Sequence, residues 1–157
     1  STKWVNDILI GNSKIAGVIT QTASMGNKIT GAVIGIGLNV ETKPEIVTDK
    51  FTPRAACLKD FTNSSKCNVN FILKELLKNL AKNITQINLG EYRELYEIYC
   101  SRSAVIGKQA AIYSDSVDGA SEELIISGKV ASIKENLELV FENSNQSINK
   151  GRLALPE

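Results

Sequence analysis

One strand constrains this chain more than any other feature. Residues 29–40 alternate: Ala32, Ile34, Ile36, Leu38 and Val40 fall on one face, and Gly31, Val33, Gly35, Gly37 and Asn39 on the other. Successive side chains in a strand point to opposite sides. The pattern predicts a strand with one apolar face on a core and one face nearly stripped of side chains. Glycine weakens a strand interior and marks close approach by a ligand or another backbone. Two readings stay open. A crossing helix or a bulge needs the room, or a flat ligand lies on the backbone. In the second case Asn39, on the same face, offers donors and an acceptor to a heterocycle edge.

The flanking sequence supplies more strands. Residues 3–10 and 14–22 read as two strands joined by Gly11-Asn12-Ser13, a turn of hairpin length. Residues 41–51 read as a loop. Thr52-Pro53 is an N-cap and first-turn pair for a short helix ending near Lys59. After a polar stretch, Asn68 caps a longer helix. Its stripe of Val69, Ile72, Leu73, Leu76, Leu77, Leu80 and Ile84 predicts a buried face. A second helix over about 90–100 places Tyr92, Leu95, Tyr96 and Tyr99 on one side, also as core. From residue 103 short β-type runs follow, at 104–113, 123–134, 137–142 and 147–155. The expected fold is α+β. A largely antiparallel sheet is backed by helices at 52–59, 68–84 and 90–100, with a small SH3-like β-barrel after it. The expected domains are 1–102 and 103–157.

Composition excludes several functions. Among 157 residues, 18 are Lys or Arg and 17 are Asp or Glu, so the charge is nearly balanced. That excludes the basic excess of a nucleic-acid binder and a polybasic membrane patch. No apolar run is long enough for a transmembrane helix. The segment Ser1–Asp7 has no signal-peptide core and reads like the inside of a domain. Cys57, Cys67 and Cys100 form no CxxC pair, which fits free thiols in a reducing cytoplasm. The chain has no histidine, which removes Ser-His-Asp, Cys-His and most zinc catalysis. Any chemistry falls to Lys, Asp, Asn, Arg or the backbone.

The first hairpin holds the polar candidates. Asn6 and Asp7 lie inside the apolar run Trp4–Ile10. One of them faces inward unless the strand is irregular there, and a buried carboxylate needs a partner. Lys14 opens the next strand, and Gly17 permits close approach. Lys14 reads either as a solvated lysine at a strand end or as a fixed cation beside Asp7 in a phosphate-handling pocket.

Three segments occur in order: Lys3-Trp4-Val5-Asn6-Asp7, Lys14-Ile15-Ala16-Gly17 and Gly35-Ile36-Gly37-Leu38-Asn39-Val40. With the tail Gly151-Arg152-Leu153-Ala154-Leu155, they resemble the biotin–protein ligase family over essentially the whole chain. The family motifs are K-W-P-N-D, K-[IL]-[AG]-G and G-x-G-x-N-V. The resemblance implies an enzyme that makes biotinyl-AMP from biotin and MgATP. It then passes biotin to a lysine of a carboxylase acceptor domain. It implies Lys14 as the catalytic lysine, contacting the activated carboxyl and phosphate. Asn6, Asp7 and Asn39 match adenylate-binding positions, with Asp7 toward Mg²⁺. Lys14, Gly17, Gly35 and Gly37 match the biotin pocket. It allows a homodimer, and it involves neither nucleic acid nor membrane.

Two departures stand out. Val5 replaces the family's proline, and the family's Gly/Arg-rich adenylate loop (G-R-G-R) is not in the sequence. The expected partner is therefore a missing N-terminal half, and the chain alone is expected to be impaired. Two other readings are a ligase-like binding module without catalysis and a lipoate–protein ligase relative. The upstream loop in a parent gene discriminates the first. Trp4, the Gly35–Val40 segment and the C-terminal β-domain weigh against the second.

Overall fold

The computed structural model describes residues 1–115, 122–142, 144 and 146–156. Four strands form a first antiparallel sheet in sequence order: β1 (Thr2–Lys3), β2 (Asp7–Ile10), β3 (Ser13–Met25) and β4 (Lys28–Leu38). The strand expected over 3–10 is broken at Trp4–Asn6. There the chain turns and folds β1 back on β2, so that Lys3 lies opposite Asp7. The long β3–β4 hairpin closes through Gly26 at φ +62°, a conformation glycine adopts without steric cost.

The helix expected over 52–59 does not form. Where β4 ends, residues 54–56 run alongside the start of β3. Lys14 N–H donates to Arg54 O at 2.8 Å, and Ala56 N–H donates to Lys14 O at 2.9 Å. These backbone groups cannot also close a helical turn. Only a short 3-10 helix, Leu58–Asp60, remains. Ile15, Ala16 and Ala56 are buried here, with Ile8, Ile10, Leu38 and Leu58 packed around them.

The apolar face of β4 is therefore covered only at its Leu38 end. Ile34 is 42% exposed, and the helices do not back this sheet as expected. Helix α1 (Val69–Asn88) starts as predicted, with Asn68 Oδ1 accepting from Phe71 N–H at 2.9 Å, but runs past Ile84. Ile72, Leu76 and Leu80 are half-buried, while Leu73 and Leu77 are exposed, and α1 buries no residue fully. Helix α2 (Tyr92–Ser101) is tied to the second sheet instead. Tyr99 and Cys100 pack on that sheet's core, and Tyr96 Oη donates to Ile133 O at 2.6 Å. No helix among the described residues is long and apolar enough to cross a membrane.

The second sheet holds β5 (Gln109–Tyr113), β6 (Leu124–Ile133), β7 (Leu139–Phe141), β8 (Ser147–Ile148) and β9 (Arg152–Ala154), in the order β8-β7-β6-β5-β9. The pairings are antiparallel and leave β8 and β9 as edges among the described residues, so no closure into the expected SH3-like barrel is seen among them. Its core contains Val105, Ile112, Val130, Ile133, Leu139 and Phe141. Trp4 joins that core from the other end of the chain, and its Nε1–H donates to Leu137 O at 2.7 Å. Trp4 is thus core, as the bulk of its ring favours, and it locks the first hairpin to the second sheet.

Candidate acyl-adenylate site

Strand register brings the predicted residues together. Asp7 pairs with Gly17, Gly17 with Gly37, and Ile19 with Gly35. Directly paired residues share a face. Asp7, Gly17, Gly35 and Gly37 therefore lie on one side of the sheet. Strict alternation from Gly17 would put Lys14 on the other side. A register shift between Ile8 and Leu9 intervenes, with Ile8 opposite Ala16 but Leu9 opposite Lys14. Such bulges re-aim side chains. The Lys14 ammonium consequently reaches Asp7 Oδ1 at 2.5 Å. A Cβ built on Gly17 would stand 3.5 Å from the Lys14 Nζ, which places the cation over the glycine floor.

The floor is open. A Cβ on Gly37 would meet only Gly17 O, at 4.0 Å, and one on Gly35 only Ile19 O, at 3.7 Å. Neither glycine has positive φ. Neither backbone geometry nor crowding among the described residues requires a glycine at 35 or 37.

Both asparagines are engaged in holding the frame. Asn6 is exposed, and its Nδ2–H donates to Val18 O at 2.8 Å. Asn39 lies just beyond β4, and its Nδ2–H donates to Ala56 O at 3.0 Å. Each side-chain donor group thus carries a backbone tie, although amide edges on the open face were expected to read a base. Asp7 is held by the Lys14 ammonium. Among the described residues no group of three or more His, Cys, Asp or Glu stands together. No all-protein metal cage stands among them; a Mg²⁺ would take the Asp7 carboxylate together with substrate phosphate oxygens.

Lys3 opens the first family-like segment, where the resemblance carries it over less firmly than Asn6 and Asp7. It is only 5% exposed, and its ammonium donates to Phe51 O at 2.5 Å. Burial pulls its pKa below the ordinary lysine value; the nearby Asp7 opposes this and Lys14 adds to it. Reading 3–10 as one strand hid the hairpin that sets Lys3 opposite Asp7. The loop bearing Phe51 is fixed in turn. Asp49 Oδ1 accepts from Phe51 N–H at 2.8 Å and from Thr52 N–H at 2.7 Å, and the Arg152 guanidinium lies 4.0 Å from the Phe51 ring centroid. The Phe51 N–H bond is the main reason the Asp49 carboxyl titrates below its usual range.

Residues 1–39 match the model of the biotin/lipoate A/B protein ligase family. The biotin–[acetyl-CoA-carboxylase] ligase of Mycobacterium tuberculosis is 32% identical over 110 residues, which are 70% of this chain and 37% of that protein. The chain is a relative of the biotin–protein ligases. The bifunctional ligase/repressor BirA of Bacillus subtilis is 36% identical over 56 residues, 36% of this chain and 17% of that protein. The chain thus matches well under half of the length of these ligases. Aquifex aeolicus biotin protein ligase shares the fold: its apo structure superposes with a TM-score of 0.71 at 21% identity, over 99% of this chain and 64% of that one. The same enzyme in complex with biotin and ATP superposes with a TM-score of 0.69.

Proposed function

We propose that the glycine floor of β3 and β4 seats an acyl-adenylate, and that this chain is the C-terminal part of a biotin–protein ligase. Residues 1–102 then belong to the catalytic domain and 103–157 to a C-terminal β-domain. One observation carries the reading. Gly35 and Gly37 form a bare surface that neither φ nor packing demands, beside a lysine turned onto that surface by a bulge. A ligand lying flat on the backbone accounts for the glycines.

The chemistry follows from the charges. A biotin carboxylate oxygen attacks the α-phosphorus of ATP, forms the mixed anhydride and releases pyrophosphate. The Lys14 ammonium offsets negative charge on the carboxylate and α-phosphate oxygens. Asp7 fixes the direction of that ammonium, and Lys14 needs no further rotamer ordering when ligand arrives. An acceptor lysine amine then attacks the acyl carbon, and AMP leaves with the phosphate oxygen. Among the described residues Asp7 is the carboxylate that would hold a Mg²⁺ at this surface, and the ion would offset phosphate charge there.

Calorimetric titration of the chain with biotin, with a non-hydrolysable biotinyl-adenylate mimic and with its lipoyl counterpart tests this. Saturable binding of the biotinyl mimic is expected. Preference for the lipoyl mimic, or no heat with any of the three, overturns the reading.

A further inference from the structure

Two apolar faces lack a covering layer among the described residues. The second sheet closes its core, where Val105, Ile112, Val130 and Leu139 are completely buried. Helix α1 buries no residue fully. The apolar side of β3 and β4 is open beyond Leu38, with Val18 and Ile36 half-buried and Ile34 exposed. A sheet or helix that is apolar on one side is stable when a second layer packs on it.

The open face of α1 has a regular pattern. Leu73, Leu77, Leu80, Ile84 and Ile87 recur at alternating steps of four and three residues. All are exposed except Leu80, which is half-buried and borders the side of Ile72 and Leu76 that faces the body of the chain. Alternating steps of four and three form the seam by which one helix seats another. Charge accompanies the seam. Helix α1 carries Lys74, Lys78 and Lys82 against one acid, Glu75, and none of the four makes an ion pair among the described residues. Lys74 directly follows Leu73, at a position that borders a partner helix, where charge selects the partner.

We infer that α1 is a docking seam for a helix of the upstream part of the ligase domain, apolar at the same spacing and acidic where it meets Lys74. The inference rests on the reading of this chain as a ligase part. The match takes up 37% of the M. tuberculosis ligase and the superposition 64% of the A. aeolicus chain, so each relative has further chain to supply such a layer. A second copy of this chain suits the seam less well. Pairing α1 with another α1 brings two net-positive helices together, and like charges across a seam repel. An isologous contact also covers one self-complementary patch, whereas the deficits here lie on both β4 and α1.

The test is co-expression of the tagged chain with the segment encoded upstream of Ser1 in its reading frame, as a separate polypeptide. The segment is expected to copurify in equimolar amount, and the chain alone to sediment as a monomer. Leu77→Glu combined with Ile84→Glu should weaken the complex about tenfold or more, as charge placed in an apolar contact does. Lys74→Glu should weaken it about threefold, with the larger effect at low salt. All three positions are exposed, so the urea midpoint of the chain alone should not move, which separates docking from folding. A segment that does not copurify, or that binds the double variant as tightly as the parent chain, overturns the seam. A chain that dimerises alone through Leu77 and Ile84 overturns it too. Undiminished binding by Lys74→Glu overturns the acidic flank of the partner. Calorimetry with the biotinyl-adenylate mimic reads the glycine floor separately. Absent mimic binding with copurification intact overturns the acyl-adenylate reading and leaves the seam. A reading frame with no upstream segment overturns the ligase-part reading and the seam together.

Discussion

The Lys14 ammonium and the Asp7 carboxylate meet at 2.5 Å across a hairpin whose register slips by one residue between them. Both side chains are partly shielded, at 35% and 17% exposure, so water competes with the pair less than at an open surface. The slip decides which face of the sheet the lysine presents. Without it, alternation sends Lys14 to the side of Ile8, Ala16 and Leu38.

Lys14→Ala removes this cation and no buried core volume. Adenylation measured as pyrophosphate release, in a ligase assembled with the upstream half of the site, should fall by about 10²–10³-fold, the range for losing one preorganised electrostatic donor. Thermal unfolding should move by only a few degrees. Undiminished pyrophosphate release would remove Lys14 from the chemistry and leave it as a hairpin clamp.

Gly37→Val separates ligand from packing. The position is exposed, and a Cβ there meets nothing nearer than Gly17 O at 4.0 Å. β-Branched residues suit strands, so stability should hold or rise slightly. Binding of a biotinyl-adenylate mimic should drop by at least tenfold, about 1.4 kcal/mol. Unchanged affinity in a folded variant would show that nothing lies on this floor.

The floor was legible because a strand's period is two, so a run of residues reveals its faces without any tertiary information. The Asn68 cap was legible for a similar local reason. The helix over 52–59 misled because Thr52-Pro53 suits an extended segment as well as a first turn. The deciding partner, Lys14, lies far away in sequence. The α1 stripe was correct as a pattern, yet periodicity tells which face is apolar and not what covers it: Leu73 and Leu77 stay exposed. Asn39 was placed on the ligand face by alternation, but the chain leaves β4 at Leu38, and the amide turns to Ala56 O. Lys3 was hidden by a turn at Trp4–Asn6 that apolar content alone does not signal.

Trp4 joins the two sheets, so its loss should be felt in both. It is 7% exposed, within a core of Val105, Ile112, Leu139 and Phe141, and it donates to Leu137 O. Trp4→Ala should cost about 3–5 kcal/mol in urea unfolding monitored by far-ultraviolet circular dichroism. Trp4→Phe, which keeps most of the volume and loses the N–H, should cost about 1–3 kcal/mol. A Trp4→Ala variant as stable as the parent chain would show that the second sheet stands independently of the first hairpin.

Tyr99 reports on the same junction through pH. Its hydroxyl donates to Val5 O at 3.0 Å, and burial, with a smaller effect from Cys100, pushes its pKa up to about 12 from 10.0. A raised tyrosine pKa favours the neutral form in the folded state. The stabilisation is complete below pH 10, where folded and unfolded states are both neutral at this group. It declines as pH rises from 10 through 12, because the unfolded phenol ionises first and the unfolded state then binds fewer protons. Tyr99→Phe cannot ionise. Its unfolding midpoint should therefore fall less steeply than that of the parent chain across this window, in urea titrations at matched ionic strength. Parallel slopes for the two proteins would mean that the Tyr99 phenol ionises equally easily in both states. Burial at the junction would then not be holding its proton.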